Sequence, residues 1–170
     1  MRLKLLVEEK TLKGSGLFIK LPEELAKQFP KLDKDTSPPH ITLLFIGDIT
    51  ESEKETVAEI TNKICEKYAP VEIFFGGLAY FSNPDAEVAH SIVEAQKLAA
   101  FRQEIWDALL QANIKIEDNH PHYTPHITLQ YGDARDYKGE QPEGNFRADK
   151  IELWSDHGKV LDNFKLTGSI

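Results

Sequence analysis

The chain has 170 residues, of which 41% are hydrophobic and 28% charged, and a formal net charge of −8 at neutral pH. That is enough chain for one well-packed domain of ordinary composition, and the acidic balance argues against tight, sequence-blind binding to long nucleic acid, which needs a basic surface. A single cysteine, Cys65, permits no internal disulfide; no apolar run is long enough to span a bilayer, and the first residues lack the apolar stretch of a secretory leader, so a cytoplasmic protein without a membrane partner is expected.

In chain order, GLFIKLP (16–22) alternates apolar and polar residues and reads as a strand. Pro22 suits the start of a short helix over PEELAKQF. DKDTSPP (33–39) is a loop, and ITLLFIG (41–47), β-branched and closed by Gly47, is a buried strand. Thr50 with Glu53 forms a capping-box pattern, and Val57, Ile60, Ile64 and Tyr68 recur at helical spacing, so a helix is expected over 51–68. VEIFFGGLAYF (71–81) is the next strand, with Gly76-Gly77 marking a bulge or a close backbone approach. NPD (83–85) turns the chain into the strand EVAHSIVE (87–94). Leu98, Phe101, Ile105 and Leu109 define a second helix ending near Asn113. HITLQYG (126–132) is a strand, DARDYKGEQPEGN (133–145) an exposed loop, and DKIELWS (149–155) and KVLDNFKL (159–166) two closing strands.

The string PHITL occurs at 39–43 and again at 125–129. Each sequence half, 14–82 and 87–170, carries one long helix and one HITL strand, which points to an internal duplication. No linker-like segment separates the halves, so residues 1–170 are expected to form one domain. The fold class is α/β (α+β): two pseudo-symmetric lobes of mainly antiparallel sheet, with flanking helices, around a central cleft.

Alternation in a strand puts residues i and i+2 on one face. His40 and Thr42 then point one way, with Ile41, Leu43 and Phe45 opposite; His126, Thr128 and Gln130 point one way, with Ile127, Leu129 and Tyr131 opposite. The apolar faces pack against helices. The His-Thr faces need polar partners or a wet cleft. Two imidazoles and two hydroxyls meeting in a cleft suit cleavage of a phosphodiester. One neutral imidazole takes a proton from the attacking oxygen and the other, protonated, gives one to the leaving oxygen. The threonine hydroxyls donate to the phosphate oxygens where charge builds. His40, Thr42, His126 and Thr128 are therefore the candidate catalytic set; the residues do not say which histidine is the base, and the chemistry calls for no metal or cofactor.

His-x-Thr-apolar twice in a short chain, together with PPHITLLFIGDIT after the GLFIKLP strand and a second motif after a helix and a His-Pro loop, resembles the 2H phosphoesterase superfamily, also called 2′-5′ RNA ligase-like proteins. The resemblance covers the chain from about Gly14 onward. It implies a two-lobed α/β fold and metal-independent chemistry on 2′,3′-cyclic phosphates, 2′-5′ linkages or related small nucleotides, with His40 and Thr42 matching the first motif and His126 and Thr128 the second.

Four further residues are candidates for binding substrate. Trp154 stacks on a base if its strand face looks into the cleft, or belongs to the core; Phe18 and Tyr80 are weaker candidates of the same kind, and Gln130 shares the face of His126. HPHYTPH (120–126) invites a zinc reading, but no carboxylate-plus-histidine pattern completes a site, and His120 and His122 fit a loop at the cleft rim. His90 lacks a threonine two residues on and reads as structural or as cleft wall. Cys65 has no histidine near it in sequence to activate it. The expected partner is a small nucleotide whose phosphodiester is hydrolysed, a 2′,3′-cyclic phosphate, a 2′-5′ linkage or a cyclic oligonucleotide signal, the last as a means of countering nucleotide-based immune signalling; a non-catalytic nucleotide-binding module and an RNA end-processing or ligase-like enzyme are the rival functions.

Overall fold

A computed structural model describes residues 9–33, 35–83, 86–118 and 122–170. Among these residues the order is β1 (Thr11–Lys20), α1 (Glu23–Ala26), β2 (His40–Thr50), α2 (Glu51–Cys65), β3 (Val71–Asn83), β4 (Ala86–Glu94), α3 (Leu98–Gln111), β5 (His126–Tyr131), β6 (Gly144–Ala148), β7 (Lys150–Ser155) and β8 (Lys159–Lys165). The strands form two four-stranded antiparallel sheets, β2-β1-β7-β8 and β5-β4-β3-β6. This is the α+β, two-lobed architecture expected from the sequence. Each HITL string lies on the edge strand of its own sheet, and β2 and β5 come into contact across the space between the sheets.

Each sheet draws strands from both sequence halves. The strands β3 and β4, on either side of 83–86, are partners in one sheet, whereas β1 and β2 share the other with β7 and β8. The sequence reading also left out β6, whose residues fell inside the expected loop 133–145 and just beyond it. Its five residues pair with β3 at the sheet margin and bury only Phe146 and Ala148, too short a pattern to stand out.

The helices follow from their sequences. Thr50 accepts from the Glu53 backbone N–H at 3.1 Å, and the Glu53 carboxylate accepts from the Thr50 N–H at 2.9 Å, which satisfies two N–H groups at the start of α2. The helix stops at Cys65 rather than at Tyr68, because the next turn tightens: Lys67 N donates to Ile64 O and Tyr68 N to Cys65 O. Tyr68 is buried all the same. In α3, Phe101, Ile105 and Leu109 are fully buried, each stabilising the fold by about 1.5–3 kcal/mol.

A shared irregularity shapes both HITL strands. Phe18 pairs with Thr42 while Leu17 pairs with Leu44, so Leu43 is an extra residue on β2. His90 pairs with Thr128 while Ala89 pairs with Gln130, so Leu129 is an extra residue on β5. Both are β-bulges at the leucine of PHITL. A bulge reverses the alternation beyond it. Phe45, expected on the helix-packed face, instead borders a cavity with His40 and Thr42, and Tyr131 borders the same cavity. Both assignments made from strict alternation are therefore corrected by one inserted residue in each strand.

The carbonyls at the β2 bulge are taken up by α3 and by the segment that leads into β5. The Arg102 guanidinium, from α3, donates Nε–H to Leu43 O at 2.9 Å and Nη2–H to Asp118 at 3.1 Å. It lies between the rings of Trp106 and Tyr123, and the Tyr123 hydroxyl donates to Thr42 O at 2.8 Å. Glu117 N and Asp118 N donate to Ile46 O and Phe45 O, extending this cover along the outer edge of β2. The bulge, an edge-strand weakness by itself, becomes the joint between the sheets.

Candidate active site

The surroundings of His40 and His126 repeat from lobe to lobe. The Nδ1 of His40 faces Pro38 O at 2.7 Å, and the Nδ1 of His126 faces Thr124 O at 3.0 Å. In both cases the carbonyl lies two residues back, on the segment that leads into the strand. A carbonyl can only accept, so Nδ1 carries the proton and each ring presents Nε2 as its working nitrogen.

Behind each imidazole stands a pair of stacked rings from the second and third strands of its sheet. Phe18 of β1 and Trp154 of β7 stack at 4.7 Å and both meet His40 edge-on, at 5.1 and 5.2 Å. In the other lobe His90 of β4 and Phe81 of β3 stack at 4.1 Å and lie 5.0 and 4.8 Å from His126. Phe18 pairs with Thr42 just as His90 pairs with Thr128. Gly16 makes the first stack possible, since a Cβ there would meet the Phe18 ring at 2.8 Å and Leu44 O at 2.9 Å. Gly16→Val is therefore expected to push Phe18 off Trp154 and lower Tm, a loss that thermal unfolding would read directly; an unchanged Tm and unchanged aromatic circular dichroism would contradict it.

The motifs open onto shared space. One cavity is bordered by His40 and by Thr128 of the opposite lobe. The other, of about 440 Å³, is bordered by His40, Thr42, Phe45, Phe18, Trp154 and Tyr131. Asp35 borders both. Tyr131 of β5 borders the second of these beside Asp35, so the loop before β2 and the strand of the second motif meet there.

The binding candidates are placed differently. Trp154 is nearly fully buried, with Nε1 donating to Glu152 at 2.8 Å, yet its ring edge closes the cavity wall behind His40. Phe18 is its stacking partner. Tyr80 lies beneath Arg135 and packs on the core; its neighbour Phe81 is the ring that meets His126. The Gln130 amide donates to Gly132 O and Asp133 O and secures that loop, the position beyond the Leu129 bulge having turned it away from the His126 face. His122 is exposed, and His120 lies outside the described residues. Sequence reasoning passed over Phe81, Asp35 and His157, and gave His90 only the role of structure or cleft wall.

Burial lowers the pKa of His40 and outweighs the opposing pull of the Pro38 carbonyl and of Asp35. Burial also lowers that of His90, whose Nε2 is buried with no hydrogen-bond partner among the described residues. The unfolded chain binds protons at these two rings that the folded chain resists, so they contribute stability above their ordinary pKa of 6.5 and withdraw it as the pH falls below. Tm is expected to drop between pH 7.5 and 5.5, and His90→Phe, which copies Phe18 of the other lobe, to flatten that slope. A slope that His90→Phe leaves unchanged would remove His90 from the account. Cys65 is buried and its thiol is pushed up to about 12, which leaves it unreactive.

The sequence profile of the 2′-5′ RNA ligase superfamily matches residues 19–160, most of the chain and both HITL strands. The chain belongs to the 2′-5′ RNA ligase superfamily.

Members of known structure share the fold. TT0787 of Thermus thermophilus superposes with a TM-score of 0.72 at 21% identity, covering 92% of this chain and 100% of that one. E. coli LigT complexed with 3′-AMP superposes with a TM-score of 0.70 at 15% identity, over 92% and 99%. In sequence the chain is 30% identical over 105 residues to a protein of Geobacillus stearothermophilus named RNA 2′,3′-cyclic phosphodiesterase, covering 61% of this chain. It spans only about a third of that relative's length, 32%. Among the described residues no helix is long and apolar enough to cross a membrane.

Proposed function

We propose that this superfamily member is a two-histidine phosphodiesterase that opens a small nucleotide phosphodiester, with a 2′,3′-cyclic phosphate as the first substrate to test. The observation that carries the reading is the matched presentation of two Nε2 atoms, each fixed by Nδ1 on a carbonyl two residues back, on two strands of which His40 and Thr128 border one cleft. A relative named RNA 2′,3′-cyclic phosphodiesterase and a fold-mate crystallised with 3′-AMP support that choice of substrate.

In the proposed reaction the phosphoryl group sits between the strands, its free oxygens facing the Thr42 and Thr128 hydroxyls. Burial favours the neutral ring at His40, which suits it to take a proton from water, while His126 gives one to the ribose oxygen as its bond to phosphorus breaks. The stacked rings behind each imidazole keep water from the far side and hold the ring plane. The acidic charge of the chain favours a small nucleotide over long RNA, and the expected setting is the cytoplasm.

The test is hydrolysis of 2′,3′-cyclic nucleotides, 2′-5′ dinucleotides and cyclic dinucleotides in the presence of a chelator. Turnover of the 2′,3′-cyclic phosphates at an unchanged rate in chelator is the expected result. Binding without turnover of any of them would leave a nucleotide-binding module instead. Thr42→Val and Thr128→Val are each expected to lower kcat about 10²-fold, with a smaller change in KM, because the hydroxyls act on charge that develops in the transition state.

A further inference from the structure

A cleft built to hold phosphate should avoid carboxylates, yet Asp35 stands at the meeting point of both cavities beside His40. Its Oδ1 accepts from Ser37 N at 2.9 Å and from Ser37 Oγ at 2.5 Å. Tyr131 borders the second cavity with it, and His157 Nδ1 lies 3.8 Å away. His157 is carried there by a tight turn in which Asp156, His157 and Gly158 all have positive φ. Burial by itself would raise the Asp35 pKa, but the two Ser37 bonds, helped by His40 and His157, hold the carboxyl below its usual range. It is an anion at every pH at which the imidazoles work.

The groups facing Asp35 are known by element. Ser37 comes from its own loop, His40 from β2, Tyr131 from β5 and His157 from the β7–β8 turn. Lys13 and Asp156 share the second cavity with it, and Glu23, Lys27 and Lys31 the first. Among the described residues its ion-pair neighbour is the exposed His157, and the carboxylate borders the same cavities as His40, Thr42 and Thr128.

We propose that Asp35 separates substrate from product by charge, tolerating a singly charged phosphodiester and expelling the doubly charged monoester that its hydrolysis leaves. This rests on the phosphodiesterase reading above. In that reaction a water oxygen bonds to phosphorus, one ribose oxygen leaves with a proton, and the new monoester releases a second proton because its second ionisation lies near pH 6. The charge on the ligand thus goes from −1 to −2 in one turnover while Asp35 stays fixed. Coulomb repulsion scales with the product of the charges, so the carboxylate opposes product about twice as strongly as substrate.

The experiment needs no turnover. Calorimetry at pH 8 measures the binding of 2′-deoxyadenosine 3′-phosphate and of its methyl ester; neither can cyclise, and they differ by one unit of charge. In the native protein the doubly charged ligand binds more weakly than its ester. Asp35→Asn is expected to tighten the monoester about tenfold more than the ester, whereas Asp35→Glu, which keeps the charge, leaves the ratio of the two dissociation constants at its native value. Asp35→Ser serves as a second neutral variant should Asp35→Asn fold poorly. A ratio unmoved in the neutral variants, a ratio moved equally by Asp35→Glu, or no binding of either ligand would overturn the proposal. Failure of the native protein to cleave any cyclic phosphate would sink the functional reading instead and leave this measurement standing.

Discussion

Alanine at His40 or at His126 is expected to lower kcat/KM for a 2′,3′-cyclic phosphate by about 10³-fold, within the range that a positioned proton-transfer group supplies. The two losses should not add, since a reaction that lacks its base gains little from keeping its acid. His40→Asn tests the same point more gently, because it retains a donor for the Pro38 carbonyl and a flat side chain against Phe18 and Trp154. Each variant is checked by circular dichroism so that a folded, inactive protein is distinguished from an unfolded one. The pH profile should be bell-shaped, with its acidic limb below the ordinary imidazole value because burial keeps His40 neutral. Native activity in either alanine variant, or a profile with one limb, would dismiss the acid–base pair.

The second large effect is on stability. The Arg102 side chain is 5% exposed and that of Asp118, its partner, 11%. Arg102→Ala removes a buried ion pair and unmakes the bond to Leu43 O. The expected cost is about 3–5 kcal/mol, or roughly 10 °C in Tm for a chain of this size. Part of that loss is the broken ion pair, so the double variant Arg102→Met, Asp118→Leu should recover stability relative to Arg102→Ala alone. If the double variant is no better, the damage lies in the bulge carbonyl and not in the ion pair. A fall of less than about 1 kcal/mol in Arg102→Ala would mean that water reaches the pair and screens it.

Much of the architecture was legible because it depends on local signals. The capping box at Thr50 and Glu53, the helical spacing of Leu98, Phe101, Ile105 and Leu109, and the repeated PHITL each describe a few neighbouring residues. Gly76-Gly77 does fall where the pairing of β3 with β4 shifts register. What escaped was whatever depends on partners distant in the chain. The bulges at Leu43 and Leu129 are defined by pairing with β1 and β4, and without them alternation assigns Phe45, Gln130 and Tyr131 to the wrong faces. Tyr80 and Phe81 are equally aromatic in sequence; only the sheet shows which of them meets His126. Asp35 and His157 come together from a loop and a turn with no shared motif. An internal repeat offered one clue that a single strand does not: PHITLLF and PHITLQY carry an aromatic ring at the same offset, a sign that this position has a common task in both lobes.

The joint between the sheets has a consequence for the life of the protein in a crowded solution. Edge strands invite pairing with other chains unless they are blocked, and here the most apolar edge, β2, is shielded by Arg102, Tyr123 and the backbone of 117–118. Loosening that cover unveils a free row of carbonyls and amides next to Ile41, Leu43 and Leu44. Damage at Arg102 would then bring clumping and strand exchange between molecules together with the loss of stability.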